Sequence, residues 1–191
     1  LGLGHVPPGA LRQAGPGDHV QGRQHRRGRK ARAAAARLSP GICVRPVGYV
    51  PDMEKADFDA MNQAVIEEFR TTGGKAGGVF TGKPLVLVHH IGAKSGTERI
   101  APLVPLLDDG KVYIFASKGG ADSDPDWYRN LVAHPQITVE LGTETYQASA
   151  RVLEGAERDE IYAKQVEVEP QFGDYQRKTS RVIPVVELVR S

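Results

Sequence analysis

Two short loops hold the residues best suited to chemistry. One is Gly92-Ala93-Lys94-Ser95-Gly96-Thr97-Glu98-Arg99 and the other is Ser117-Lys118-Gly119-Gly120. Each combines a cation, a hydroxyl and glycines that let backbone N–H groups approach an anion, a donor set that fits a phosphate better than a neutral ligand. The same composition also suits a solvated turn, so residue types alone leave both readings open. Other polar residues offer less. His89 and His90 are neighbours on an expected strand, where successive side chains point to opposite faces and cannot chelate one metal together. His134 falls at an expected helix C-terminus, where the dipole favours it as a cap. No carboxylate pair and no Ser–His–Asp arrangement stands out. An anion cradle with little acid–base machinery of its own is what an enzyme needs when a cofactor carries the reaction.

Two nucleotide motifs are excluded. Gly77 to Lys83 reads G-x-x-x-x-G-K, but Pro84 replaces the Ser or Thr, and the Gly-rich stretch precedes a strand instead of following one. No G-x-G-x-x-G follows a strand, which argues against a nicotinamide cofactor on the usual fingerprint. A single Cys, Cys43, excludes an intramolecular disulfide framework and a multi-Cys zinc site.

The positioning elements lie in one part of the chain. Residues 1–52 carry nine basic and two acidic residues, and 15 of the 52 are Gly or Pro; all five Phe, both Met and the only Trp lie at or after Met53. The front segment therefore reads as a disordered, basic, Gly/Pro/Arg-rich leader with too little apolar surface to offset the entropy of ordering. It opens on Leu1 and has no Met before Met53, so it also admits the reading that it is no part of the natural product. Its arginines would suit nucleic acid or a transit peptide. Residues 53–191 carry a net charge of −5 and suit one domain, large enough to bury its own core. The longest apolar runs are far short of the roughly 18 residues a bilayer span needs. The domain is expected in the cytoplasm, with at most peripheral contact with the inner face of the membrane.

Phe58, Met61, Val65 and Phe69 recur at helical spacing, and Gly73-Gly74 stops that helix. Leu85 to Ile91 reads as a strand, Arg99 to Leu107 as an extended run broken by Pro102 and Pro105, and Lys111 to Ser117 as a third strand after the turn Asp108-Asp109-Gly110. These three are expected to form a meander. A short helix through Trp127, Leu131 and His134 follows, then a hairpin over Gln136 to Leu153, a helix over Glu157 to Val168, a polar and aromatic loop from Pro170 to Lys178, and a last strand from Val182 to Val189. Hairpins with few intervening helices indicate an α+β domain, mainly antiparallel, built on a sheet or small barrel.

Gly92-x-Lys94-Ser95-Gly96-x-x-Arg99-x-x-Pro102-Leu103, followed by Ser117-Lys118-Gly119-Gly120-Ala121-x-x-x-Pro125-x-Trp127-Tyr128-x-Asn130-Leu131, closely resembles the deazaflavin-dependent nitroreductase and quinone reductase family of actinobacteria. The resemblance continues through His134-Pro135, Ala150-Arg151 and Tyr175 to Arg181-x-Ile183-Pro184-Val185, covering residues 58–189. It implies a split β-barrel of the FMN-binding-like type with flanking helices, binding coenzyme F420 and passing a hydride to a quinone or nitroaromatic acceptor. It further implies that Lys94 and Arg99 hold the cofactor phosphate, that Ser95 also binds the cofactor, that Ser117 and Lys118 line the groove, and that Pro102, Trp127 and Asn130 shape and brace it. Tyr175 and Ser117 are the implied catalytic residues, with Tyr175 near the acceptor. Ala93 stands where many relatives have Arg, His89-His90 replaces small hydroxyl residues, and Phe172 stands where a second tyrosine can occur. These departures favour quinone over nitroimidazole reduction. The alternatives are an FMN-dependent split-barrel oxidoreductase and a non-catalytic F420 carrier; no metal and no nucleic-acid partner is expected.

Overall fold

A computed structural model describes residues 54–191, so the expectations for residues 1–52 and the boundary at Met53 lie outside the described residues. Helix α1 spans Lys55–Thr72, and the N–H groups of Gly73 and Gly74 both reach back to the Phe69 carbonyl to end it. It buries Val65, Ile66 and Phe69; Phe58, expected on the same face, is exposed. A single 3₁₀ turn at Gly78–Phe80 then leads to strand β1, Val86–Ile91.

The expected Arg99–Leu107 run is two strands, β2 (Glu98–Leu103) and β3 (Leu106–Asp108), separated by Val104-Pro105. A proline cannot donate to a ladder, and here it marks the change of partner. Strand β3 turns through Asp109 and Gly110, both at positive φ as a two-residue hairpin requires, into β4, Lys111–Phe115. Helix α2 (Asp126–Ala133), strands β5 (Gln136–Leu141) and β6 (Glu144–Leu153), helices α3 (Gly155–Val168) and α4 (Gln171–Lys178), and strand β7 (Val185–Arg190) complete the order. The segment expected as a loop, 170–178, is therefore helical from Gln171. Its Phe172 and Tyr175, three apart, give it a buried face.

All seven strands form one antiparallel sheet ordered β2-β1-β5-β6-β7-β4-β3. No β1–β2–β4 meander exists: β4 pairs with β3 and β7, at the opposite side of the sheet from β1 and β2. The two edge strands are nonetheless consecutive in sequence. Leu103 and Leu106 can be at most about 11 Å apart over three Cα steps, whereas the edges of a flat seven-stranded sheet would stand about 29 Å apart. The sheet must curl until its edges approach, and this meets the split-barrel expectation.

Alternation along the strands separates two apolar layers. Val86, Val88, Val112, Ile114, Ile137, Val139, Ala148, Val186 and Leu188 share one face with Leu131 of α2. On the other face α1 covers Leu85 and Leu87, while α3 and α4 cover Tyr113, Phe115, Leu153 and Val185. A curled sheet has no room inside for three helices, so the face shared with α2 is the concave one. Among the described residues no helix is long and apolar enough to cross a membrane.

Candidate functional site

Strand directions decide where the two basic loops lie. Strands β1 and β4 are separated by three antiparallel neighbours, so they run the same way and their C-terminal ends share one end of the barrel. The 92–97 turn and the Ser117-Lys118-Gly119-Gly120 turn leave from those ends, as does the start of β5, immediately after α2. Helix α2 thus lies across the end that carries both loops.

The first loop is tied at its base. Gly92 N–H donates to the Thr97 carbonyl at 2.9 Å and Gly96 N–H to the Gly92 carbonyl at 2.8 Å. Ser95 Oγ accepts the Thr97 N–H at 3.3 Å. Asn130, buried on α2, accepts the Ala93 N–H through Oδ1 at 2.8 Å, while its Nδ2 stands 3.0 Å from Nδ1 of His90. Asn130 therefore braces the loop. Lys94, Ser95 and Arg99 are exposed around this fixed base.

The second loop is strained and clamped. Lys118, Gly119 and Gly120 all have positive φ, Lys118 at +46° without the excuse of glycine. Lys118 Nζ reaches Ser123 Oγ at 3.0 Å. A Cβ on Gly120 would stand 2.8 Å from the Tyr175 carbonyl, so glycine lets α4 close against the turn. Arg181 does most of the clamping. Its Nη2 donates to the Ala116 and Ser117 carbonyls, each at 2.9 Å, its Nε to Ala121 O at 2.8 Å, and its Nη1 to Asp124 at 2.8 Å. Ser117 is itself buried.

The expected site residues divide accordingly. Lys94, Ser95, Arg99, Ser117, Lys118 and Asn130 gather at one end of the barrel. Pro102 does not share a face with Arg99: it lies opposite Leu87, on the α1 side, whereas Arg99 lies opposite His90 on the concave side. The period of two puts residues three apart on opposite faces, so Pro102 shapes the strand and lines no groove with Arg99. Trp127 is half-buried against the concave core and meets Tyr128 edge-on at 6.3 Å. Tyr175, expected beside an acceptor in a loop, is 2% exposed on α4, with its ring 5.3 Å from Phe172. Burial, then the charges of Glu169 and Asp174, push its phenol up to about 12. Such a phenol is a weak acid with no open ring face. No role was assigned to Arg181 from the sequence, although it opens the Arg181-x-Ile183-Pro184-Val185 stretch that leads into the buried strand β7. His89 and His90 do face opposite ways, His89 outward to Glu98 at 3.0 Å and Glu140 at 2.7 Å.

Among the described residues no group of three or more His, Cys, Asp or Glu could hold a metal ion. The residues that do gather at the α2 end supply cations, hydroxyls and a side-chain amide, a donor set of the kind a phosphate-bearing organic cofactor needs.

Comparison with known proteins agrees. The family model described as F420H2-dependent quinone reductase matches residues 61–189. An F420H2-dependent quinone reductase of Mycobacterium tuberculosis is 34% identical over 126 residues, covering 64% of this chain and 85% of that protein. A solved F420-H2 dependent reductase is 42% identical, with a TM-score of 0.51 over 55% of this chain and 93% of that one. A structure described as a domain-swapped dimer is 37% identical, with a TM-score of 0.54 over 71% and 99% of the respective chains.

Proposed function

Because the chain belongs to the F420H2-dependent quinone reductase family, we propose that it is an oxidoreductase that binds reduced F420 at the α2 end of its barrel and passes a hydride to a quinone. The observation that carries this reading is the convergence of two basic, glycine-containing loops on one barrel end, each fixed by a polar brace, buried Asn130 for one and Arg181 for the other. When bound, a reduced deazaflavin supplies a hydride pair and resists one-electron chemistry.

The chain's own residues have simpler tasks. Lys94, Arg99 and Lys118 neutralise the phosphate, and Ser95 offers a hydroxyl beside them. Asn130 and Arg181 hold the two loops so that little ordering entropy remains to be lost on binding, which is how a preorganised site gains affinity. Trp127 and Tyr128 form an apolar wall beside the groove. Tyr175 supports the Gly120 turn from beneath, and the proton that accompanies the hydride comes from solvent. Residues 53–191 suffice for this activity, and residues 1–52 take no part in it.

Side-by-side spectral titration with F420 and FMN tests the cofactor. Saturable binding of F420 at micromolar concentration, with FMN at least tenfold weaker, is the expected result. Tighter FMN binding would move the protein to the flavin-dependent alternative.

A further inference from the structure

His89 and His90 sit side by side on β1, yet only His89 has both ring nitrogens engaged by described residues. Its Nδ1 and Nε2 meet Glu98 and Glu140, and Arg70 grips Glu140 in turn. His90 lies on the concave face and is 5% exposed. Its protonation can be deduced from its neighbour. The Ala93 N–H points at the Asn130 side chain at 2.8 Å, so the atom it meets must be the amide oxygen. The amide nitrogen then faces His90 at 3.0 Å, and because that nitrogen only donates, Nδ1 of His90 must accept. The ring proton is therefore on Nε2, and a second proton on Nδ1 would set two donors against each other. Burial, with the charges of Arg99 and His89, lowers His90 to about 4 against an opposing pull from Asp126, so the ring is neutral near pH 7.

The register supplies a partner for that N–H. Arg99 lies directly opposite His90 across the β1–β2 ladder and on the same face. Cross-strand Cβ atoms of such a pair stand about 4.5–5.5 Å apart. A guanidinium and a neutral N–H donor thus project side by side at the barrel end that carries Lys94 and Ser95. No described residue accepts from Nε2 of His90.

We propose that His90 is a binding residue of the cofactor site, donating Nε2–H to the phosphate that Arg99 neutralises, with Asn130 fixing the tautomer that makes this possible. The inference rests on the deazaflavin reading above. It assigns Asn130 two linked tasks: it holds the Ala93 loop and it sets the proton of His90. A neutral donor adds a directed bond without placing a second cation against Arg99.

Two measurements on the full chain test it. Long-range 1H–15N spectra of the ligand-free protein at pH 7 are expected to show His90 as the Nε2–H tautomer; an Nδ1–H tautomer or an imidazolium would overturn the inference. The second uses His90→Asn, which keeps an acceptor for Asn130 near the Nδ1 position and deletes the Nε2–H. Its dissociation constant is expected to rise about tenfold for F420 and to stay within twofold for the same deazaflavin lacking the phosphate tail. An equal loss for both ligands, or for neither, would contradict a phosphate contact. Failure of the unsubstituted protein to bind F420 would remove the cofactor reading and the inference together, and that outcome is distinct because no variant enters it.

Discussion

Lys118 is held at φ +46°, a conformation that costs a non-glycine residue about 1 kcal/mol or more. Strain of this kind at a loop residue that also supplies a cation is best explained by the position of its ammonium group. Lys118→Gly is therefore expected to raise the unfolding free energy by up to about 1 kcal/mol while weakening F420 binding several-fold. Loss of both stability and affinity, seen in denaturant unfolding and spectral titration, would count against this. His90 makes a second prediction. Its folded value of about 4 lies below the ordinary 6.5, so between these values the unfolded chain binds a proton that the folded chain refuses. Its contribution is complete above pH 6.5 and is lost as pH falls towards 4, by about 3 kcal/mol in all. Denaturant unfolding between pH 7 and 4 should show that slope, and His90→Asn should flatten it. The cations Lys94, Arg99 and Lys118 were legible in the sequence because glycines and hydroxyls surround them. The His90–Asn130 pair was not, since its partners are 40 residues apart and only β1 and α2 bring them together.

Elements hold these residues through a few contacts of high sequence separation. Arg181 binds three carbonyls and Asp124, across the segment that precedes α2. Its removal would leave several buried acceptors unpaired, so Arg181→Ala is expected to cost about 2–4 kcal/mol in stability and to weaken cofactor binding. Binding unchanged in a folded Arg181→Ala protein would show that the Ser117 loop needs no clamp. Gly120→Ala would drive a Cβ to 2.8 Å from the Tyr175 carbonyl at φ +83°. It should lower the melting temperature and displace α4, and an unchanged melting temperature would contradict the close approach of the two. Strands and hairpins were largely legible because alternation and turn residues mark them locally. Helix α4 was not, because a Gly and several polar residues within its eight positions hide the Phe172–Tyr175 face. The expected meander failed for a related reason. Proximity in sequence favoured pairing β1, β2 and β4, whereas curling the sheet places β2 and β3 on opposite edges.

At the scale of the molecule, residues 53–191 carry a net charge of −5, so the cations that would meet the phosphate are the few at the α2 end, Lys94, Arg99 and Lys118. Attraction of the phosphate is therefore local, and moderate salt should weaken F420 binding only modestly, since contacts at short range escape much of the screening. A chain reduced to residues 53–191 is expected to keep its kcat/KM within about twofold of the full chain; a larger loss would give residues 1–52 a part in the site. The α+β class was legible from hairpins with few intervening helices and the family from two long motifs at fitting separation, while the depth of Tyr175 in the core was visible only once α4 had been placed. Hydride transfer from F420 bound at the α2 end of the barrel is tested by mixing the protein anaerobically with reduced F420 and menadione and following F420 oxidation. Multiple turnovers are expected, with Arg99→Ala needing far more cofactor for the same rate. Binding of F420 without menadione-dependent oxidation would rule out the reductase and make the protein a carrier.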